Sequence, residues 1–428
     1  MRDFIHCDHG KWSTKDLVRR LGHALDIAGQ SVERFAVNGY VDCREPSNDF
    51  PPLKIIGETA LLLVSASIAA GYPDIARRIH NVAEQLLPHA RSKRMLFGMC
   101  VDTSFALDYA AAHICLTRLG YRDPVFDAVL RKSLNSQVRA AHQRLPSEIL
   151  EKEWLVRRWQ GTGSKSRQTY RRAALESLLG HPMDLLSGSR LDVCEFTHAF
   201  IYATGFGLLR PRRLPRPASE ILAEAEAALA RCLDEEDYDY GGEILMSWPL
   251  TGRSWSAAAV FGFRVLATVQ DEAGFLPCAK TKLQRLDESS GDERAEYLLA
   301  TRYHAAYVMG FLCAAALRPG LAPPIRIPRR AQGTGTHAPI LRLLDADPRL
   351  RHWRKEFDRL AVPERDAIAS LLFAMALRRR VVERNFTGLS ELLEIGHQLG
   401  LANCPVATQA AELLERVTEA APRLLASA

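Results

Sequence analysis

From residue 55 onward, apolar side chains recur at three- and four-residue intervals, the period of helices that bury one side. The sustained alternation that marks strands is nearly absent, and there is no Asn-Gly hairpin turn. The spacing predicts a small-residue-rich helix over 57–70, stopped at Gly71-Tyr72-Pro73-Asp74. A second follows over 74–88, carrying Ile75, Ile79, Val82, Leu86 and Leu87 on one stripe. A helix over 103–119 stops at the similarly worded Gly120-Tyr121-Arg122-Asp123-Pro124, and another runs through Leu134. Glycine suits the left-handed position that ends a helix, and Asp123 before Pro124 is a cap followed by a first-turn proline. The repeating unit is therefore a helical hairpin.

Further helices are expected over 193–208, 219–233, 254–270 and 292–317, with a Pro/Arg-rich connector at 210–217 and a polar loop at 160–169. The first helix of each pair is rich in Ala, Gly, Ser and aromatics, whereas the second shows the charged stripe of a helix facing water. An inner and an outer layer follow from that asymmetry, with 254–270 read as inner. The expected fold is all-α: an α/α-hairpin toroid or incomplete (α/α) barrel with a C-terminal helical extension. Its divisions are 1–320, a Pro/Gly/Arg-rich linker over 321–338, and a helical subdomain over 339–428.

Composition narrows the function classes. The chain has 428 residues, 47% hydrophobic and 25% charged, with a formal net charge of +6. Its arginine clusters lack interleaved aromatics or a reading motif, which argues against nucleic acid as a partner. Charges and histidines in MRDFIHCDHGKW occupy the place of a signal-peptide core, and stretches such as Thr59 to Ala70 look too short to cross a bilayer. The expected compartment is the cytoplasm, with no membrane association. Nine cysteines form no CxxC pair and read as reduced, mainly packing thiols. No Walker loop, Gly-x-Gly-x-x-Gly, Gly-x-Ser-x-Gly or His-Glu-x-x-His occurs, against the common nucleotide, dinucleotide, serine-hydrolase and zincin chemistries.

The candidate chemistry lies in Glu195-Phe196-Thr197-His198, in Asp271-Glu272-Ala273-Gly274-Phe275 and in Tyr303-His304. A carboxylate three residues before an imidazole puts both on one helical face. Glu195, His198, Asp271 and His304 are the candidate catalytic residues. His198, His304 and Glu195, or Asp271 in place of Glu195, are also a candidate ligand set for a divalent metal such as zinc or iron, two imidazoles and a carboxylate leaving positions open for substrate. Against the metal stand metal-free acid/base work and a bland set of buried, hydrogen-bonded polar residues. Asp108, Glu243, Trp248, Trp255 and Tyr303 are candidate substrate contacts, aromatics beside carboxylates suiting a cyclic or cationic ligand. Cys194, beside Glu195, and Cys278, at the end of the Phe-Leu-Pro-Cys turn, are candidates for a thiolate nucleophile paired with a histidine, although lone cysteines usually pack. His6-Cys7-Asp8-His9 holds ligand-type residues near the chain end.

The inner and outer layers, with the Gly-Phe-Leu-Pro turn at 274–277, resemble the α/α-toroid architecture of terpenoid cyclases, lanthipeptide cyclases and several glycan-processing enzymes. The catalytic signatures of those families are absent: there is no Asp-Asp-rich motif and no Cys/Cys-His zinc set. The pairing of Glu195-x-Thr197-His198 with Tyr303-His304 and Val308-Met309-Gly310 resembles an uncharacterised bacterial helical domain family from biosynthetic loci, which implies no particular activity. Together these features lead to an expected enzyme of bacterial specialised metabolism, acting on a small molecule or modified peptide in an axial cavity. The alternative is a non-catalytic α-helical repeat protein that binds or scaffolds a partner.

Overall fold

The computed structural model describes residues 12–38, 52–136, 144–161, 164–208, 214–278, 281–328, 335–344 and 351–426. His6, Cys7, Asp8, His9 and Cys43 lie outside the described residues, as do 210–213 of the connector and 329–334 of the linker. Among the described residues there is no strand, and the protein is all-α. The helices are α1 (Thr14–Asn38), α2 (Pro52–Ala66), α3 (Pro73–Ala90), α4 (Lys93–Val101), α5 (Ala106–Arg118), α6 (Pro124–Leu134) and α7 (Pro146–Gln160). They continue as α8 (Ser164–Glu176), α9 (Arg190–Thr204), α10 (Ala218–Asp234), α11 (Tyr238–Leu245), α12 (Ser247–Thr251), α13 (Ala257–Ala273), α14 (Leu283–Glu288) and α15 (Gly291–Ala316). The C-terminal part holds α16 (His337–Leu344), α17 (His352–Asp358), α18 (Val362–Ala367), α19 (Ala369–Val382), α20 (Phe386–Gln398) and α21 (Pro405–Ala426).

Six of these helices contact one another in sequence and close on themselves. Helix α2 packs on α5, α5 on α7, α7 on α9, α9 on α11, α11 on α15, and α15 back on α2. Their side chains also meet in matching order. Asp108 meets Lys152 between α5 and α7; Ser147 meets Glu195, and Glu151 meets Tyr202, between α7 and α9. Between α15 and α2, His304 faces Glu58, and Tyr307 shares a 2.8 Å hydrogen bond with Thr59. Paired positions advance together along α7 and α9 and along α15 and α2, so each of these neighbouring pairs runs the same way.

Between successive members of the circuit the chain returns through α3, α6, α8, α10 and α13. Helix α1 covers α15 in the opposite direction: Arg34 pairs with Glu296, while Leu21 and Ala24 lie where a side chain on Gly310 would fall. Strong N-terminal caps set the entry of several helices. Asp123 accepts from the N–H groups of Val125 and Phe126, and Ser189 caps α9 with Asp192 reaching back in a reciprocal box. Helix α9 stops at Gly205, whose φ of 58° is left-handed.

Three expectations need correction. The segment expected as an inner helix at 254–270 is α13, which packs on α10 and α11 and is covered on its far side by α17 and α18. Its side toward α17 carries Arg264, Thr268 and Glu272, which meet Glu356 and Arg359, so the polar stripe that would otherwise face water is taken up by the C-terminal helices. The inner place belongs to α11, too short for its period to show. The polar stretch at 160–169 is not a loop throughout, since α8 begins at Ser164. Finally, Pro52–Ala69 is long and apolar enough to span a membrane, contrary to the reading of its core as too short. Two-thirds of it is buried inside the fold, where α2 packs against α1, α3, α5 and α15, and that burial accounts for its apolarity.

The C-terminal helices flank the circuit through α10 and α13. The Arg379 guanidinium donates to both carboxylate oxygens of Asp234 at 2.9 and 2.6 Å, and Arg264 meets Glu356 at 2.6 Å. Gln409 accepts from the Leu185 N–H and donates to the Met183 carbonyl.

Candidate functional site

Ionisable side chains from several members of the circuit gather on its inner side. Helix α15 brings His304, whose Nδ1 lies 3.4 Å from Glu58 Oε2 on α2 and whose Nε2 lies 3.6 Å from Glu243 Oε1 on α11. Helix α9 brings His198, with its Nε2 3.9 Å from the Sγ of Cys194 one turn earlier. Thr197, between them in sequence, donates from Oγ1 to Glu243 Oε2 at 2.5 Å and ties α9 to α11. Helix α7 brings Glu151, which accepts from the Tyr202 hydroxyl at 2.8 Å. The His304 side chain keeps 26% of its surface accessible and Glu58 19%, although both sit well inside the helix layers. That combination is what groups lining an internal recess show.

The charges of the cluster support one another. Burial alone would push the His304 imidazole down, but the field of Glu58 and contacts with Glu243 and Glu58 outweigh it, and its pKa lies well above the usual histidine range. Burial likewise opposes the charge on His198, yet contact with Cys194 and the field of Glu243 raise it to about 9. Glu58 and Glu243, despite burial, are held below the usual carboxylate range, chiefly by His304, with His198 adding to both. Glu151 goes the other way. Burial raises it, and the Tyr202 hydroxyl and the His198 charge offset only part of that. Asp239, four residues before Glu243 on α11, is raised to about 6 by burial. At neutral pH the site thus holds two imidazolium ions beside two carboxylates, with further acids displaced toward the neutral form. Carboxyl groups with divergent affinities for protons, set beside charged imidazoles, are what general acid/base chemistry requires.

Toward the C-terminal ends of α9 and α15, buried aromatic side chains pack together. Phe206 packs 5.5 Å from Trp154, 5.6 Å from Tyr202 and 5.3 Å from Phe311, ring centre to ring centre. Its φ of 56° is unusual for a bulky residue and is held by this packing where α9 turns away.

The residues expected from sequence fare differently. His198, His304 and Glu243 come together, with Tyr303 packed edge-on to His304 at 6.2 Å. Glu195 is buried, and its Oε1 accepts from the Ser147 N–H at 3.0 Å, so this carboxylate caps the first turn of α7. Asp271 sits at the end of α13 and pairs with Arg19 at 3.1 Å and Arg20 at 2.6 Å, tying α13 to α1. Asp108 pairs with Lys152 at 2.8 Å, near Glu151. Trp248 and Trp255 are buried and stacked on each other at 6.3 Å, the indole N–H of Trp255 donating to the Leu321 carbonyl; they are core rather than a mouth. Cys278 accepts from the Thr281 hydroxyl in its own turn.

The metal set of His198, His304 and Glu195 is not assembled, because Glu195 turns to the helix end. Among the described residues no group of three or more His, Cys, Asp or Glu side chains is arranged to hold a metal ion. Sequence reasoning missed Glu58 and Glu151. Each stands alone among apolar or charged neighbours, with no motif; the one available signal was a carboxylate on the apolar stripe of a small-residue-rich helix.

Every residue of this cluster lies, along the chain, from α2 to α15. Residues 21–314, the span from within α1 almost to the end of α15, match the family described as Domain of unknown function (DUF6895). The chain belongs to the DUF6895 family. The matched span of the DUF6895 domain holds every residue of the site and stops before α16–α21. No curated protein and no solved structure matches the chain.

Proposed function

We propose that the protein is an enzyme whose DUF6895 domain is an (α/α) toroid, with acid/base chemistry carried out in its axial recess on a small molecule or modified peptide. What carries this reading is His304 held between Glu58 and Glu243, three ionisable groups from three different helices. Charged groups taken from water cost several kcal/mol each, on the order estimated for buried ions, unless they are paired or used. Pairing here is incomplete: the recess leaves His304 and Glu58 accessible, and the distances of 3.4 and 3.6 Å leave His304 free to exchange a partner for substrate. In this reading His304 and His198 donate protons, and Glu151 or Asp239 takes or returns one. The aromatic group around Phe206 forms an apolar floor, and the N-terminal ends of the inner helices form the mouth. The cytoplasm and a bacterial biosynthetic setting belong to the same proposal.

The competing reading is a helical repeat protein that scaffolds a partner. A scaffold gains nothing from accessible, mutually charged groups deep between helices, whereas an enzyme does. The experiment is incubation of the purified full-length chain with small-molecule and peptide extracts, followed by untargeted mass spectrometry. Consumption of some components and appearance of others, dependent on protein, is the expected result. A protein that alters no component but captures a macromolecule through its surface supports the scaffold instead.

A further inference from the structure

Acid/base work by His198 and His304 leaves one reactive group of the recess unassigned. Resting on the enzymatic reading above, we propose that Cys194 is the nucleophile of the site: its thiolate, paired with the His198 imidazolium, attacks an acyl donor and carries the acyl group as a thioester.

The placement is specific. Cys194 and His198 are four residues apart on α9, hence on one face, with Sγ and Nε2 3.9 Å apart. Thr197 locks that turn of α9 to Glu243 on α11. The groups facing the thiol are His198 from its own helix and Tyr240 and Glu243 from α11, with Glu151 of α7 acting on His198. Cys194 is half-buried, whereas Cys115, Cys232 and Cys313 are fully buried, their thiols pushed up by burial as packing residues are. At Cys194, burial is outweighed by contact with His198 and by its charge, and the thiol moves down.

A second observation on α11 points to a ligand. Asp239 is 6% exposed, its Oδ2 lies 3.5 Å from Arg190, and its Oδ1 has no hydrogen-bond partner. Buried polar atoms are rarely left so. Asp239 shares the face of α11 that carries Glu243, so an acyl donor bearing an N–H or hydroxyl group would satisfy this oxygen while its carbonyl meets Cys194.

In the first step the Cys194 thiolate forms a bond to the carbonyl carbon, the bond from that carbon to its leaving group breaks, and the leaving group takes the proton from His198 Nε2. In the second, water or an amine or hydroxyl acceptor attacks the thioester and gives its proton to His198, and the thiolate departs. No oxidant or reductant is involved.

The test uses the full-length protein, iodoacetamide and p-nitrophenyl acetate as probes, and peptide mapping by mass spectrometry. At about pH 6.5, Cys194 should be alkylated on the order of tenfold faster than the exposed Cys100, and an acetyl group should be trapped on Cys194. His198→Gln should abolish that advantage near neutrality, with alkylation of Cys194 recovering only as the pH rises and no longer outpacing that of Cys100. The wild-type pH profile needs no variant, so a misfolded substitution cannot hide the answer. Alkylation of Cys194 no faster than Cys100, with no acetyl trapped, overturns the proposal. The two readings separate with Cys194→Ser: turnover that survives it but is lost in His304→Gln removes the nucleophile and leaves the acid/base enzyme, whereas turnover indifferent to both removes both.

Discussion

His304 Nε2 on α15 and Glu243 Oε1 on α11 lie 3.6 Å apart, and Glu243 is fixed from its other side by the Thr197 hydroxyl. Glu243 therefore holds charge on two histidines of the recess at once, His304 and His198. Replacing it by glutamine keeps the shape and removes that charge. In Glu243→Gln both imidazoles should titrate at lower pH than in the wild type, measured by histidine NMR. An unchanged titration of either would break this link.

The raised histidines also set a pH dependence of stability. A folded pKa above the unfolded value stabilises fully below the unfolded value and loses that contribution as the pH climbs through the folded one. For His198 the window runs from the ordinary 6.5 to about 9. Glu58 and Glu243, both depressed, stabilise above their ordinary range and lose it in acid. Thermal melts should show a plateau between the ordinary carboxylate value of 4.5 and the ordinary histidine value of 6.5, falling on both sides, with the alkaline fall shallower in His198→Gln.

Asp239 works in the opposite sense. Its folded pKa of about 6 lies above the ordinary 3.8, so its charge costs stability above pH 6 and the cost disappears as it protonates. The roughly two-unit shift corresponds to about 3 kcal/mol. Asp239→Asn should raise the melting temperature near pH 8 and change little near pH 4, by calorimetry. Equal effects at both would contradict the burial of its charge.

How far the sequence showed all this can be argued element by element. Helical period and the two Gly-Tyr punctuations placed α3, α5, α6, α10 and α15 to within a few residues: Gly120 follows the end of α5, and Pro73 and Pro124 open α3 and α6. His198 and His304 stood out because imidazoles are conspicuous on apolar helices. Glu195 and Asp271 shared their segments and yet serve as a cap and an ion pair, and nothing local distinguishes a carboxylate facing a helix end from one facing a recess. The role of α13 was unreadable for a similar reason, since its outer cover is supplied by helices about 90 residues away in the chain.

Gly310 illustrates a motif with a packing cause. A Cβ there would lie 2.7 Å from that of Ala24 and 2.8 Å from Leu62 Cδ1, both on neighbouring helices. Gly310→Ala should therefore destabilise the fold by about 1–3 kcal/mol, as overpacking does, despite the better helix propensity of alanine. Denaturant unfolding checks this, and a stabilised variant would show that α1 and α2 can give way.

The C-terminal helices cover the side of α13 that bears Arg264, and pair with Asp234 and Arg264. Truncation after about residue 335 should lower solubility and melting temperature by uncovering that side and leaving Arg264 and Asp234 without their partners. Arg379→Ala, which leaves Asp234 without its bidentate partner, should cost about 3 kcal/mol. Full stability in either variant would show that the flank is an independent unit.

The most direct measurement compares turnover by the wild type with that by folded His304→Gln, using whichever extract component the wild type consumes. Circular dichroism confirms that the variant retains its helices. Loss of at least about a hundredfold in rate, in line with removal of a general acid, is expected. Turnover unchanged in a well-folded His304→Gln would contradict the claim that the charged recess between α2 and α15 is an active site.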